Sequence, residues 1–519
     1  MSRRSKPRRA SARGLAPAVV LAAATSLVLG STPAAAAPSA PPDGPALAKK
    51  LVKDVNVGAI NRHLMAMQRI ADTNGGNRAA ATPGHEQSAE YIAGKLEAAG
   101  YLVSRQEFPF TFSETLAQRL TVAGADVPIT VMTYSPSTAE GGLTAPLAAV
   151  APDATPGCEV ADYGDVTGKI ALVQRGSCSF GEKQVAAADA GAAGVIVYNN
   201  EDGPLNGTLG DPSLARIPAG GVSKADGEAL IAQNGADVNL ELRTFTEERT
   251  SYNVVAETKT GRKDNVVMAG AHLDGVPEGP GINDNGTGSA GLLETALQLG
   301  GSPKVNNSVR FAWWSAEEFG LVGSTHYVNQ LSFEQQLDIS LYLNFDMIGS
   351  PNAAYFAYDG DDSDGEGAGA GPYGSGQIEQ KLTGFLGSQG VEAEGTDFDG
   401  RSDYGEFIAV GIPSGGLFTG AEDIKTPEQT SKWGGQAGVA YDACYHSACD
   451  NLGNVDRVAL DRNADAVAWA VGSYAISTED VNGVPAKAGK NKKQTADTRS
   501  VQRTMRVADT AGDPHALAG

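Results

Sequence analysis

The stretch Asn265-Val266-Val267-Met268-Ala269-Gly270-Ala271-His272 reads as a strand that is apolar from Val266 to Ala271 and stops at a histidine. A half-exposed strand would alternate polar and apolar side chains, so an unbroken apolar run needs cover on both faces. The cover follows at once. Ser289–Leu299 reads as an apolar helix, Val309–Trp314 as a second buried strand, Phe319–Leu331 as a helix, and Leu341–Phe345 as a third strand. Such alternation predicts an α/β domain with helices packed on its sheet. A helix from about Val455 to Tyr474 closes it.

Upstream, Ile60, Leu64, Met67 and Ile70 recur at helical spacing. A second helix is predicted over Gly84–Ala99, ending at Gly100, and Tyr101–Phe112 reads as a strand. Between 112 and 249 the character changes. Short β-like runs such as Ile129–Met132, Ile170–Val173 and Val195–Tyr198 are separated by Gly, Pro and Asp, which predicts an inserted, mainly β module. The α/β domain is therefore expected in two pieces, 51–111 and 250–478.

The ends carry different signals. Arg3, Arg4, Lys6, Arg8, Arg9 and Arg13 precede an apolar run from Leu15 to Leu29, and small residues follow to Ala37. That order predicts a secretory signal peptide over 1–37. The run is shorter and richer in Ala than a membrane span of about 20 residues. Residues 38–50 are expected to be a pro-segment or linker, and 479–519 a disordered tail. The chain is thus expected outside the cell, as a monomer with no membrane partner. A formal charge of −21 argues against nucleic acid, whose phosphates call for clustered Lys and Arg. Four cysteines allow three pairings. In an oxidising compartment the sequence-local pairs Cys158–Cys178 and Cys444–Cys449 are favoured, and neither has the short spacing of a Cys₄ zinc site.

Candidate ligands gather where strands end. His272 closes the first strand, Glu317 and Glu318 follow the second, and Asp346 follows the third. Sites in open α/β sheets form beyond the carboxyl ends of strands. Asp284 lies in the turn Gly281-Ile282-Asn283-Asp284-Asn285-Gly286, and His446 in Cys444-Tyr445-His446-Ser447-Ala448-Cys449. Each has a plain structural explanation: a strand-end histidine, a turn aspartate that caps a helix, a solvated glutamate pair. Their joint placement does not, because gathered buried carboxylates need a cation. Mixed imidazole and carboxylate donors suit zinc, whereas calcium prefers oxygen alone.

The motifs His272–Asp274, Gly281–Gly286, Phe311–Glu318, Asn344–Gly349 and Cys444–Cys449, in this order, resemble the M28 family of zinc aminopeptidases, and within it the secreted leucine aminopeptidases. The resemblance covers about 51–111 and 250–478. It implies the zinc-dependent exopeptidase fold, a mixed, mainly parallel sheet flanked by helices. It implies two zinc ions bridged by Asp284, one completed by His272 and Asp346, the other by Glu318 and His446. Asp274 would orient the His272 imidazole. Glu317 would be the general base and Tyr445 the hydrogen-bond donor to the oxyanion. Arg401 matches a family motif near the substrate, although Tyr404 stands where the family commonly has histidine. Met347 and Phe418 would form an apolar pocket, so peptides with a free, large apolar N-terminal residue such as Leu are the expected substrates. The family pattern also implies a calcium ion at Asp54, Asp461 and Asp465; the plain alternative is an acidic helix face. Residues 168–200, with Gly168–Gly176, Cys178, Phe180, Lys183 and Ala190–Asn200, resemble a protease-associated (PA) domain, for which gating and a purely structural role both stay open. Carboxypeptidase, glutaminyl cyclase and metal-free receptor are the rival readings. The complete ligand set disfavours the last two.

Overall fold

The computed structural model describes residues 45–485, apart from positions 211, 366 and 368. The expected signal peptide, the linker up to residue 44 and the tail beyond 485 lie outside the described residues.

The run Val266–Ala271 sits in the strand Arg262–His272, at the middle of the sheet. Asn307–Trp314 pairs parallel on one side and Ile339–Phe345 parallel on the other. Ser414–Phe418 continues the parallel set. Phe356–Tyr358 and Asp237–Glu257 join antiparallel, which makes the sheet mixed and mainly parallel. Successive side chains point to opposite faces, and both faces are covered. Val267, Ala269, Phe311, Trp313, Leu341 and Leu343 pack against the helices Val57–Thr73, Pro83–Ala98, Gly288–Leu299 and Arg457–Tyr474. Met268, Trp314 and Tyr342 pack on the other face against Tyr327 and Phe407. Tyr342 and Phe407 stack with centroids 3.9 Å apart. This two-sided burial is the reason that the strand sequence does not alternate.

Register decides where the strands stop. Trp314 lies opposite His272, and Asn344 opposite Gly270. His272, the turn after Trp314 and Asp346 therefore leave the sheet at one edge.

Three departures from the sequence reading have local causes. The first residues of the expected disordered tail are structured: Glu479–Asn482 is a helix, Val481 and Val484 are buried, and Thr478 bridges to Val484. The helix expected over Phe319–Leu331 is formed only over Val322–Asn329. Residues Glu317–Leu321 make a turn instead, with the Gly320 and Leu321 amides on the Glu317 carbonyl and Ala316 and Leu321 at left-handed φ of 58°. At the N-terminal end, a helix, Ala46–Asp54, already begins inside the stretch read as linker. It packs on Arg457–Tyr474 at Gly472, where a Cβ would lie 2.6 Å from the Ala48 Cα.

The insert is joined by a long antiparallel ribbon. Leu102–Val122 pairs with Asp237–Glu257 from Leu102↔Glu257 to Val122↔Val238, with a bulge at Leu116. The expected boundaries at 112 and 249 fall within this ribbon. Beyond it, Leu143–Ala149, Ile170–Gln174, Gly194–Tyr198 and Ala219–Val222 extend the sheet, covered by the helices Phe180–Asp189 and Lys224–Ile231. The Cys158–Cys178 disulfide lies in this module, and Cys444–Cys449 closes the loop that carries His446.

Leu343 is fully buried at the sheet centre. Leu343→Ala is expected to cost about 3 kcal/mol through lost transfer energy and a residual cavity, read as a lower urea midpoint; an unchanged midpoint would contradict this core assignment.

Candidate metal centre

Asp284 is held by its loop before anything else acts on it. The Asn283 and Asp284 amides donate to Asp450, at 2.8 and 3.0 Å. The Asn283 side chain donates to Asp442 at 2.7 Å. Asn285 donates to the Phe345 carbonyl at 2.9 Å and accepts the Met347 amide at 3.2 Å, tying this loop to the strand that delivers Asp346. The peptide between Asp284 and Asn285 is cis. The fully buried Arg78 guanidinium donates to the carbonyls of Leu273, Pro280 and Gly281. It thereby links the loop to the end of the His272 strand.

So fixed, Asp284 stands between two histidines. Its Oδ1 is 3.3 Å from Nε2 of His272, and its Oδ2 is 3.3 Å from Nε2 of His446. Asp346 Oδ1 lies 3.1 Å from the same His272 nitrogen, and Glu318 Oε2 2.9 Å from that of His446. Each histidine thus shares Asp284 and has one carboxylate of its own. Glu317 Oε2 is farther, 4.0 Å from His272 Nε2. The left-handed φ of Ala316, Met347 and His446 accompanies this convergence. Non-glycine residues held so cost on the order of 1–3 kcal/mol each, and such residues cluster at functional sites.

The electrostatics call for a cation. Among the described residues, the two histidines are the only ion-pair partners of Asp284, Glu317, Glu318 and Asp346. Burial disfavours charged imidazoles, yet Asp346, Glu317 and Asp284 carry the His272 pKa well above the ordinary histidine value, and Glu318 and Asp284 do the same for His446. Burial pushes Glu317 and Glu318 upward, reinforced by the neighbouring acids. Glu318 Oε1 is buried without a hydrogen-bond partner. Four gathered carboxylates, an orphaned oxygen and two imidazoles fit zinc as a donor set.

The other expected residues are placed as follows. Nδ1 of His272 meets the main-chain carbonyl of Asp274 at 3.1 Å, with that residue's carboxylate at 3.9 Å. The Asp274 carboxylate instead accepts the Glu317 amide at 3.3 Å. The Tyr445 ring stacks on His446 with centroids 3.8 Å apart, and its hydroxyl accepts from Arg401 at 3.3 Å. Arg401 also pairs with Glu422 at 2.9 Å. Met347 and Phe418 line the same cleft as the histidines, about 800 Å³ in volume, and Met132 and Thr208 of the inserted module line it too. Among the described residues, Asp54, Asp461 and Asp465 are not one of the groups whose side-chain donor atoms lie within 4.8 Å of one another. Asp54 pairs with Lys50, and Asp461 accepts the Val57 amide. Burial and Asp461 push Asp465 up to about 7.

Three supports escaped the sequence reading. Ser402 donates to Asp346 Oδ2 at 2.6 Å, Asn344 donates to Ser402, Tyr342 to Asn344, and Trp314 to Tyr342. This chain of donors runs from the core to a candidate ligand. Ser402 lay beside Arg401 in a stretch already singled out, so that signal was available. Arg78 and Asp450 offered none, because a basic residue in a Gly-Gly-Asn-Arg turn and an acid after a cysteine look like surface positions.

A model of peptidase family M28 matches residues 253–471, and one of the PA domain matches residues 143–230. The chain is 45% identical to a probable lipoprotein aminopeptidase of Mycobacterium tuberculosis, over 87% of this chain and 92% of that protein. It is 47% identical to leucine aminopeptidase 2 of Trichophyton rubrum, over 77% and 80%. Among solved structures it resembles a zinc aminopeptidase from Bacillus subtilis, 28% identical with a TM-score of 0.57, over 80% of this chain and 94% of that one.

Removing the hydroxyl in Ser402→Ala frees the Asp346 carboxylate to turn. Zinc affinity is expected to fall by about 10–100-fold, as for other outer partners of ligands, with the thermal midpoint of the metal-free protein little changed. Competition with a chromogenic chelator measures it; parent-like affinity would show that this chain of donors does not orient Asp346.

Proposed function

For a chain that belongs to peptidase family M28 and carries a PA domain, we propose a secreted aminopeptidase that uses two zinc ions to release large apolar residues from peptide N-termini. It is a metallo-aminopeptidase by family. The finer reading is carried by one observation: the two oxygens of Asp284 face different histidines at equal distance, so the donors divide into two sets that share it. His272, Asp284 and Asp346 would hold one ion, and His446, Asp284 and Glu318 the other. Bound there, zinc supplies Lewis acidity, polarising the scissile carbonyl and acidifying a water.

The remaining work falls to the chain. Glu317 stands just outside the donor sets, where its carboxylate takes the proton of the water and passes it to the leaving amine. Glu317 and Asp346 also offer acidic groups for the free α-amine. Tyr445 is steadied by His446 beneath its ring and by Arg401 at its hydroxyl, and donates to the oxyanion. Met347 and Phe418 provide the apolar wall for the first side chain. A carboxypeptidase would need a free cation for the substrate carboxylate, but Arg401 is engaged by Glu422, which favours aminopeptidase action. Two disulfides and the signal-like N-terminus support secretion. No helix among the described residues is long and apolar enough to cross a membrane.

Hydrolysis of Leu-p-nitroanilide is expected to vanish with a zinc chelator and return with zinc, while N-acetylated substrate resists cleavage. Turnover of the acetylated compound would refute aminopeptidase specificity. Glu317→Ala is expected to lower kcat by about 10²–10⁴, the range for a lost general base; parent-like turnover would remove Glu317 from that role. Phe418→Ala is expected to raise KM for Leu-p-nitroanilide by about tenfold, the value of one apolar contact of 1–2 kcal/mol, and to leave the Ala substrate nearly unaffected. Equal losses for both would argue against a specificity wall.

A further inference from the structure

The turn that carries Glu317 and Glu318 is tied down from several directions. Its ends are fixed by the ribbon: Asn253 accepts the Ser315 amide at 3.1 Å and donates to the Gly323 carbonyl at 2.8 Å, and the Ser251 and Ser315 hydroxyls lie 2.7 Å apart. Within the turn, Asp274 accepts the Glu317 amide. A further tie comes from the inserted module. The Tyr134 hydroxyl donates to the Phe319 carbonyl at 2.8 Å in a buried setting. Phe319 is the residue after Glu318, and its ring packs on Phe110 and Phe112 with centroids 5.3 and 5.2 Å away.

Tyr134 is itself rigidly held. It sits at a left-handed φ of 68°, in a turn where the Ser135 amide donates to Met132. Ser135 Oγ accepts the Ala219 amide at 2.9 Å, and Thr244 donates to the Ser135 carbonyl at 2.8 Å. The adjacent Thr133 amide donates to the Gly207 carbonyl, where the module lines the cleft. A rigid donor aimed at a buried carbonyl between the module and the catalytic turn restricts where that turn can settle.

We propose that Tyr134 is a positioning residue for the general base, so that the inserted module helps to build the catalytic turn rather than only covering the cleft. The inference rests on Glu317 being the base. Loss of the hydroxyl leaves the Phe319 carbonyl buried and unpaired; the turn relieves this by shifting, and Glu317 moves with it.

The test uses the full-length, zinc-loaded enzyme. In Tyr134→Phe, kcat for Leu-p-nitroanilide is expected to fall about tenfold, in line with the cost of a misplaced catalytic group, with KM within about twofold and zinc content unchanged. A Leu-initiated pentapeptide should lose kcat by the same factor. Thr244→Val, which loosens the Tyr134 turn from behind, should give a smaller fall in the same direction and carries the test if Tyr134→Phe does not fold. Unchanged kcat on the anilide overturns the proposal, as does a defect confined to the KM of the pentapeptide, which a simple cover would produce. Recovery of full kcat on adding zinc overturns it too, because the bond would then serve metal retention. Glu317→Gln separates the two assignments. If it keeps parent kcat, the base reading itself falls; if it is inactive while Tyr134→Phe is not impaired, only the coupling falls.

Discussion

The structure turns on one carboxylate with two obligations. Asp284 presents one oxygen to His272 and the other to His446, and three further acids close around the same space. Such a gathering of buried charge is unstable without compensation. Without a metal the acids draw the pKa of both imidazoles upward, and the same donors are placed so that a cation would compensate them instead. Much of the surrounding architecture can be understood as preparation for that arrangement.

The preparation operates at three ranges. Parallel register makes three strands stop together, which brings His272, Glu317–Glu318 and Asp346 to one edge. Loop anchors then aim the groups. Asp450 and Arg78 hold the backbone around Asp284, and Ser402 holds Asp346 through a line of donors rooted in the buried Trp314. Finally, the ribbon and the inserted module secure the turn that carries Glu317 and Glu318. Strain accompanies the last step of each route, at Ala316, Met347 and His446. Side chains must reach inward from segments that are leaving the sheet, and the surrounding packing meets that cost.

The insert is less separate than its composition suggests. Its connection is a ribbon of two long strands rather than a flexible tether, and its own sheet grows from the far end of that ribbon. The cleft is therefore lined on one side by the edge of the α/β sheet and on another by Met132 and Thr208. Residues with no catalytic chemistry thus help to set the space in which a substrate lies.

The sequence by itself determined the elements and the chemistry that they carry. Unbroken apolar runs alternating with helices pointed to doubly covered strands, and three of these strands ended at, or were closely followed by, a residue able to bind a metal. His272, Glu318 and Asp346 were legible as candidates because strand ends in an α/β sheet share an edge, whereas Asp284 and His446 were marked by their motifs and the family resemblance. The helix expected from Phe319 could not be corrected from sequence, since the turn that replaces its start is held by Asp274 and Tyr134, which lie far away in the chain. Tertiary structure alone decided the supports. Arg78, Asp450, Ser402 and Tyr134 act across separations of 56 to 203 residues. No local periodicity records such partners, because a hydrogen bond to a distant backbone leaves no pattern in the sequence near either end.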